Sequence, residues 1–251
     1  MHFFCTKESF FTSPFSLNFK FRLDGFLLSC YNFFMKDLFT WKRNLLFALL
    51  SCFVLYIDGF VYFGIAQKFF EGKEYLHFAS NIITSIIWAI GIVFLWVRPI
   101  YIKRRYRFKK TQGNFLLYVI LCISLIAFNR LCNNSWLPNV IRSYTPYVTK
   151  FEPYGVATFV MQHIYYLLEA GIMTMIVYFF QEFGELKFRN ARIPYGAVGL
   201  ALFWGLAHMV SKGVIVGLVV FCTSIFVGLS YNVTKKNVIM LYGISVILFY
   251  F

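Results

Sequence analysis

Apolar residues come along this chain in long blocks, with little alternation. Near-uninterrupted runs cover residues 44–66, 77–97, 114–133, 155–181, 193–211 and 213–231, and a shorter one covers 237–251. A run of ~20 apolar residues makes a helix long enough to cross the ~30 Å hydrocarbon core of a bilayer. Only helices or closed barrels satisfy their backbone groups there. The pattern therefore predicts an all-α fold, a polytopic transmembrane helical bundle of about seven spans. Pro99, Gly113, Pro138, Pro153, Pro194 and Gly213 punctuate the borders. The last run is short for a span, so it is expected to lie obliquely or to cross halfway.

Composition agrees. Of 251 residues, 60% are hydrophobic and 14% charged, against about 25% charged in a soluble domain. The net charge of +14 would suggest nucleic acid in a soluble protein, but basic residues also mark the cytoplasmic side of membrane proteins. With the N-terminus cytoplasmic, 15 of the basic residues from position 36 onward fall in inside segments and 6 in outside ones. That asymmetry sets the expected orientation. The run at 98–110, RPIYIKRRYRFKK, then faces anionic inner-leaflet lipid. The bilayer is the expected partner, and nucleic acid is not. The six cysteines show no CxxC spacing and read as small core residues.

Residues 1–34 are Phe-rich but broken by Lys7, Glu8, Pro14, Lys20, Arg22 and Asp24. They are expected to be a disordered lead or an over-extended reading frame, with Met35 as the functional start. A three-span region over 35–154 and a core over 155–251 follow. The 133–154 segment is the longest outside loop, and its Trp and Tyr residues suit an interfacial belt that caps the helices.

Titratable groups inside the blocks are few. Glu169 lies in the fourth run and His208 in the fifth. Groups of this kind inside hydrocarbon are costly and are functional candidates by default. With a turn over roughly 182–192, each lies about 20–24 Å from it at ~1.5 Å per residue, so the two share a level in an antiparallel hairpin. Gln162, Tyr165, Glu169 and Met173 form one stripe, and Trp204, His208 and Lys212 another. Gly205 and Ala201 leave room for close approach. A structural Glu–His lock between two helices stands beside the functional reading. Asp58 in the first run and Arg130 in the third also reach one depth and are expected to pair as structural glue.

The segments around these residues resemble those of the CPBP family, the CAAX proteases and bacteriocin-processing enzymes. These are polytopic, glutamate-dependent intramembrane endopeptidases with motifs E-E-x-x-x-R, F-x-x-x-H and H-x-x-x-N/D. Glu169 in YYLLEAGIMT stands where the first motif belongs, with Ala170 and Thr174 at its second glutamate and its arginine. WGLAH (204–208) matches the second motif with Trp204 in the aromatic slot. The IPYGAVGLALF lead-in and the Gly-rich exit are also similar, and 237–251 holds no histidine for the third motif. The resemblance covers roughly residues 155–251.

The resemblance implies water attack on the peptide bond of a membrane-associated peptide or protein substrate, in a bacterial plasma membrane. Glu169 would be the base, and His208 would orient water or bind a divalent metal such as zinc. Glu169 and His208 supply two ligands where a catalytic zinc wants about three. His163, about 120° around the helix from Glu169, is a poor third. Gln162, Trp204 and Asn232 are expected in supporting roles, with Gln181 and Asn237 as further polar helpers. Two other classes stay open: a non-catalytic immunity or scaffold protein, and a small proton-coupled transporter.

Overall fold

The computed structural model describes residues 40–70, 75–102, 115–133 and 137–251. The expectations for residues 1–34, for Met35, and for most of the basic 98–110 run lie outside them. Every regular element among the described residues is helical. Helix α1 (Thr40–Phe60) continues through a π-helical stretch, Val61–Ala66, into α2 (Gln67–Phe70). Then come α3 (Leu76–Ile102), α4 (Phe115–Asn133), α5 (Asn139–Lys150) and α6 (Gly155–Phe188). Helix α7 (Tyr195–Leu200) passes through a second π-helical stretch, Ala201–Gly205, into α8 (Leu206–Lys212). Helices α9 (Val214–Val233) and α10 (Val238–Tyr250) complete the chain.

Among the described residues, five helices are long and apolar enough to cross a membrane: Trp41–Phe70, Leu76–Leu95, Phe115–Cys132, Gly155–Phe188 and Val214–Val233. The expected fifth span, 193–211, becomes the π-interrupted rod α7–α8, and the expected seventh is the short α10. The exterior is apolar: Val210 is 90% exposed and Ile215 81%. A surface of this kind asks for lipid, because soluble proteins keep exposed apolar patches small. Buried hydroxyls turn back onto their own helices, as in Ser51 to the Phe47 carbonyl (2.7 Å) and Ser245 to that of Leu241 (3.0 Å). Those hydroxyls are thereby satisfied without water.

Helix α6 is the hub. It packs against α1 and α3 on one side, α7 and α10 on another, and α5 at its N-terminal end. It is longer than its apolar run predicts, because the polar segment Gln181–Lys187 stays helical. Bonds within the segment and out to the turn, α7 and Lys236 make that possible. Gln181 donates to the Ile193 carbonyl (3.0 Å) and to Glu185 Oε1 (2.6 Å), and accepts from the Gly196 amide (3.0 Å). Lys236 forms an ion pair with Glu185. The turn therefore falls at 189–194, later than the expected 182–192.

Helix α6 ends with Arg189 as its C-cap in the left-handed region, φ 54° and ψ 30°. An L side chain pays for that conformation, and glycine does not. Arg189 is exposed. Arg189→Gly is expected to stabilise the fold by about 0.5–1 kcal/mol, read as a higher melting temperature in detergent. An unchanged or lower value would contradict the cap geometry.

The 195–233 hairpin is held by close contacts through glycine. Gly213, with φ 90°, makes the turn. Gly217 then lies on Met209, Gly205 on Phe221 and Gly228 on Ala197, a steady antiparallel register along both rods. Gly205 thus serves contact with α9. The close approach to α6, expected of Gly205 and Ala201, is made by Gly196 on Val177 and Gly199 on Phe180. Ala201 is buried.

The 133–154 segment carries an amphipathic helix, α5, lying against α6 and α10. Its polar sequence NVIRSYTPYVTK gave no apolar run to mark it. Cys52 and Cys122 are buried, as expected of core residues, while Cys132 and Cys222 are exposed on an apolar surface.

Candidate intramembrane centre

Glu169 lies mid-way along α6 and is 7% exposed. The antiparallel contact of Val177 with Gly196, continued along both helices, places Trp204 opposite it. Trp204 Nε1 donates to Glu169 Oε1 at 2.9 Å. His208 follows one turn later on α8. Its Nδ1 lies 3.0 Å from the Trp204 carbonyl, and its ring packs against the Trp204 indole with centroids 4.9 Å apart. The expected direct pairing of Glu169 with His208 is therefore replaced by a sandwich with Trp204 between them. No hydrogen bond among the described residues engages the second Glu169 oxygen or His208 Nε2.

A π-helical stretch at Ala201–Gly205 contains Trp204. Such stretches break the regular carbonyl ladder and are frequent at functional sites. Here Tyr56 of α1 donates to the Phe203 carbonyl inside the stretch. The other π-helical stretch begins at Val61, three residues after Asp58. Both irregularities therefore flank the same cluster.

Asp58 belongs to this cluster and is not paired with Arg130. Thr84 donates to Asp58 Oδ1 at 3.4 Å, and Tyr165 lies beside the same carboxyl. Arg130 donates to the Leu137 carbonyl and lies 5.9 Å from the Phe251 ring centroid. The expected pairing fails because α4 packs on α10 and α9, away from α1. Equal depth in a bundle does not imply adjacency. Tyr165 precedes Glu169 by one turn on the same face, so α6 carries a polar line from Asp58 through Tyr165 toward Glu169. Lys212, at the end of α8, acts electrostatically on Asp58, Glu169 and His208.

The other expected helpers are dispersed. Gln162, about 10 Å along α6 from Glu169, accepts from Asn81 Nδ2 at 3.0 Å. Asn232 is one turn beyond Gly228, near the 189–194 turn, and is not part of the centre. Gln181 clamps that turn, and Asn237 caps α10 by accepting from the Ile239 and Met240 amides (3.0 and 3.2 Å). Tyr56 and Thr84 carried no sequence signal. Tyr165 was visible in the Glu169 stripe, but nothing there tied it to Asp58.

Among the described residues, no three of the His, Cys, Asp and Glu side chains come together as metal ligands. Glu169 and His208 also each spend one ligating atom on Trp204. They fall short of the ligand set a catalytic zinc uses, so no step proposed below passes through a metal. No protein-family model matches the chain, and no characterised protein or solved structure matches it as a relative.

The Glu169–Trp204 bond makes a stability prediction. Trp204→Phe keeps a ring against His208 but strands a buried carboxyl without its donor. The expected loss is about 1–3 kcal/mol, measured by thermal melting in detergent. Glu169→Leu combined with Trp204→Phe should recover part of it, because neither donor nor acceptor is then stranded. Strictly additive losses would show that the bond carries no coupling energy.

Proposed function

We propose that this chain is a CPBP-like intramembrane endopeptidase, with Glu169 as the base and His208 as its partner in activating water. The observation that carries this reading is the Glu169–Trp204–His208 cluster. It draws the central residues of two resembling segments into one buried place, and each flanking group keeps one polar atom free. In the proposed reaction Glu169 takes a proton from water as the oxygen attacks the scissile carbonyl carbon. That proton passes to the leaving amine as the C–N bond breaks. His208 Nε2 holds the water or the developing oxyanion. The proposal includes seven membrane passages, with α7–α8 and α10 as the short ones, a cytoplasmic N-terminus, and a bacterial plasma membrane. The substrate class is a membrane-associated peptide or protein.

A second reading has its own observation. Ala170 and Thr174 stand where the resembling family carries a second glutamate and an arginine. Both are fully buried, and the Thr174 hydroxyl is bonded to the Ala170 carbonyl (2.8 Å). Neither adds charge beside Glu169. That favours a non-catalytic relative, such as an immunity or scaffold protein, in which the cluster is a lock. Incubating the chain, reconstituted in nanodiscs, with a membrane-anchored peptide library separates the two. Cleavage that requires Glu169 supports the peptidase. Cleavage absent from wild type, with the bundle intact, favours the lock.

A further inference from the structure

Away from the Glu169 centre, at the end of the bundle opposite the 189–194 turn, α5, α6 and α10 enclose a cavity of about 220 Å³. Asn139, Arg142 and Ser143 line it from α5, His163 and Tyr166 from α6, and Leu248 and Phe249 from α10. One wall is cationic and polar and the other is aromatic and apolar.

His163 makes this cavity more than a packing gap. Both of its ring nitrogens are buried and have no hydrogen-bond partner. The ring is held by Phe159 at 4.3 Å and Tyr250 at 5.3 Å between centroids. A buried polar group left unmatched is rare and asks for an explanation. A neutral imidazole always has one N–H to give, so an acceptor in the cavity would satisfy it. Arg142 is steered by its bond to Asn139 Oδ1 at 3.1 Å, and Asn139 is itself tied to the Phe249 carbonyl at 3.3 Å. The guanidinium keeps further donors for an oxyanion. Helix α5 starts at Pro138 with no side-chain cap, which adds amide donors at the same end. Arg142 itself is exposed, on an amphipathic helix suited to the headgroup layer.

We propose that this cavity binds a phosphate oxyanion, held by Arg142 and His163, with Tyr166, Leu248 and Phe249 against its apolar continuation. A phospholipid headgroup and a free phosphate share this chemistry, and the apolar wall favours the headgroup.

The test uses the full chain in detergent, with melting temperature as the readout. Phosphatidylglycerol is expected to raise it by about 5–10 °C at roughly a hundred times Kd, and phosphatidylcholine to do far less. Arg142→Gln should weaken the effect at least ~10-fold and Arg142→Lys should retain part of it. His163→Phe keeps a ring in place and should also weaken it. Inorganic phosphate is the second arm. Equal protection by phosphate alone, lost in Arg142→Gln, keeps the site and makes the free anion its source. Protection by phosphatidylglycerol undiminished in Arg142→Gln and His163→Phe would come from basic residues elsewhere and overturns the proposal. So does the absence of any anion effect in wild type.

Discussion

Glu169→Gln is expected to leave the bundle assembled and to lower the proposed hydrolysis by about 10²–10⁴-fold, the usual contribution of a positioned general base. The amide oxygen still accepts from Trp204 Nε1, which lies 2.9 Å from the carboxyl in the wild type. Volume is conserved, so the packing of α6 on α7 is untouched. What disappears is the ability to take a proton from water. The check compares peptide cleavage in nanodiscs for wild type and variant, alongside melting temperature. Cleavage lost with melting retained supports the base role. Equal cleavage in both proteins would remove Glu169 from the chemistry. A variant that melts far lower would make the carboxyl chiefly structural, and would move weight to the lock.

The second large effect is structural. At Gly228 an added Cβ would lie 2.2 Å from Ala197 Cα and 2.6 Å from its amide nitrogen. Those are backbone atoms and cannot rotate aside. Gly228→Ala must therefore push α9 off α7, at a cost of about 1–3 kcal/mol or more. Because α7 leads directly into the stretch that carries Trp204, the shift should also loosen the Trp204–Glu169 bond. Melting temperature in detergent reads the stability, and indole fluorescence reads the environment of Trp204 against a Trp204→Phe background. Gly59→Ala is the contrast, since a Cβ there has no neighbour within 4 Å. In a helix interior it should be neutral or stabilising by about 0.5–1 kcal/mol. If both variants behave alike, the close contact at Gly228 is not what holds the hairpin.

The same hairpin explains where reading the sequence reached its limit. Hydropathy reports which segments are apolar, and it marked the helices that could enter a membrane. It does not report how far a polar segment stays helical. The segment from Gln181 to Lys187 looked like a turn because it is charged. It remains helix because Gln181, Ile193, Gly196, Glu185 and Lys236 bond to one another across two turns of the chain. Apart from the local Gln181–Glu185 bond, these join residues 12 to 51 apart in sequence, so no local pattern carries them. The residue bonded to Glu169 is likewise a long-range outcome, Trp204 where the sequence suggested His208.

Asp58 teaches the same lesson from the other direction. Its depth in the first run was legible, and Arg130 matched it. Lateral position in the bundle was not legible, because a helix that is apolar all round does not say which neighbour it faces. Tertiary packing put α4 beside α10 and α9 and gave Asp58 to Thr84 and Tyr165. By itself the sequence determined an all-helical, membrane-length architecture, and it singled out Glu169 and His208 as rare titratable groups within apolar runs. Each follows from the cost of burying charge in hydrocarbon, which is local. Only the tertiary structure decided that an indole stands between them, that Asp58 and Tyr165 join them, and that an amphipathic helix closes a polar cavity at the far end. Each of those depends on long-range packing register, which one-dimensional hydropathy does not encode.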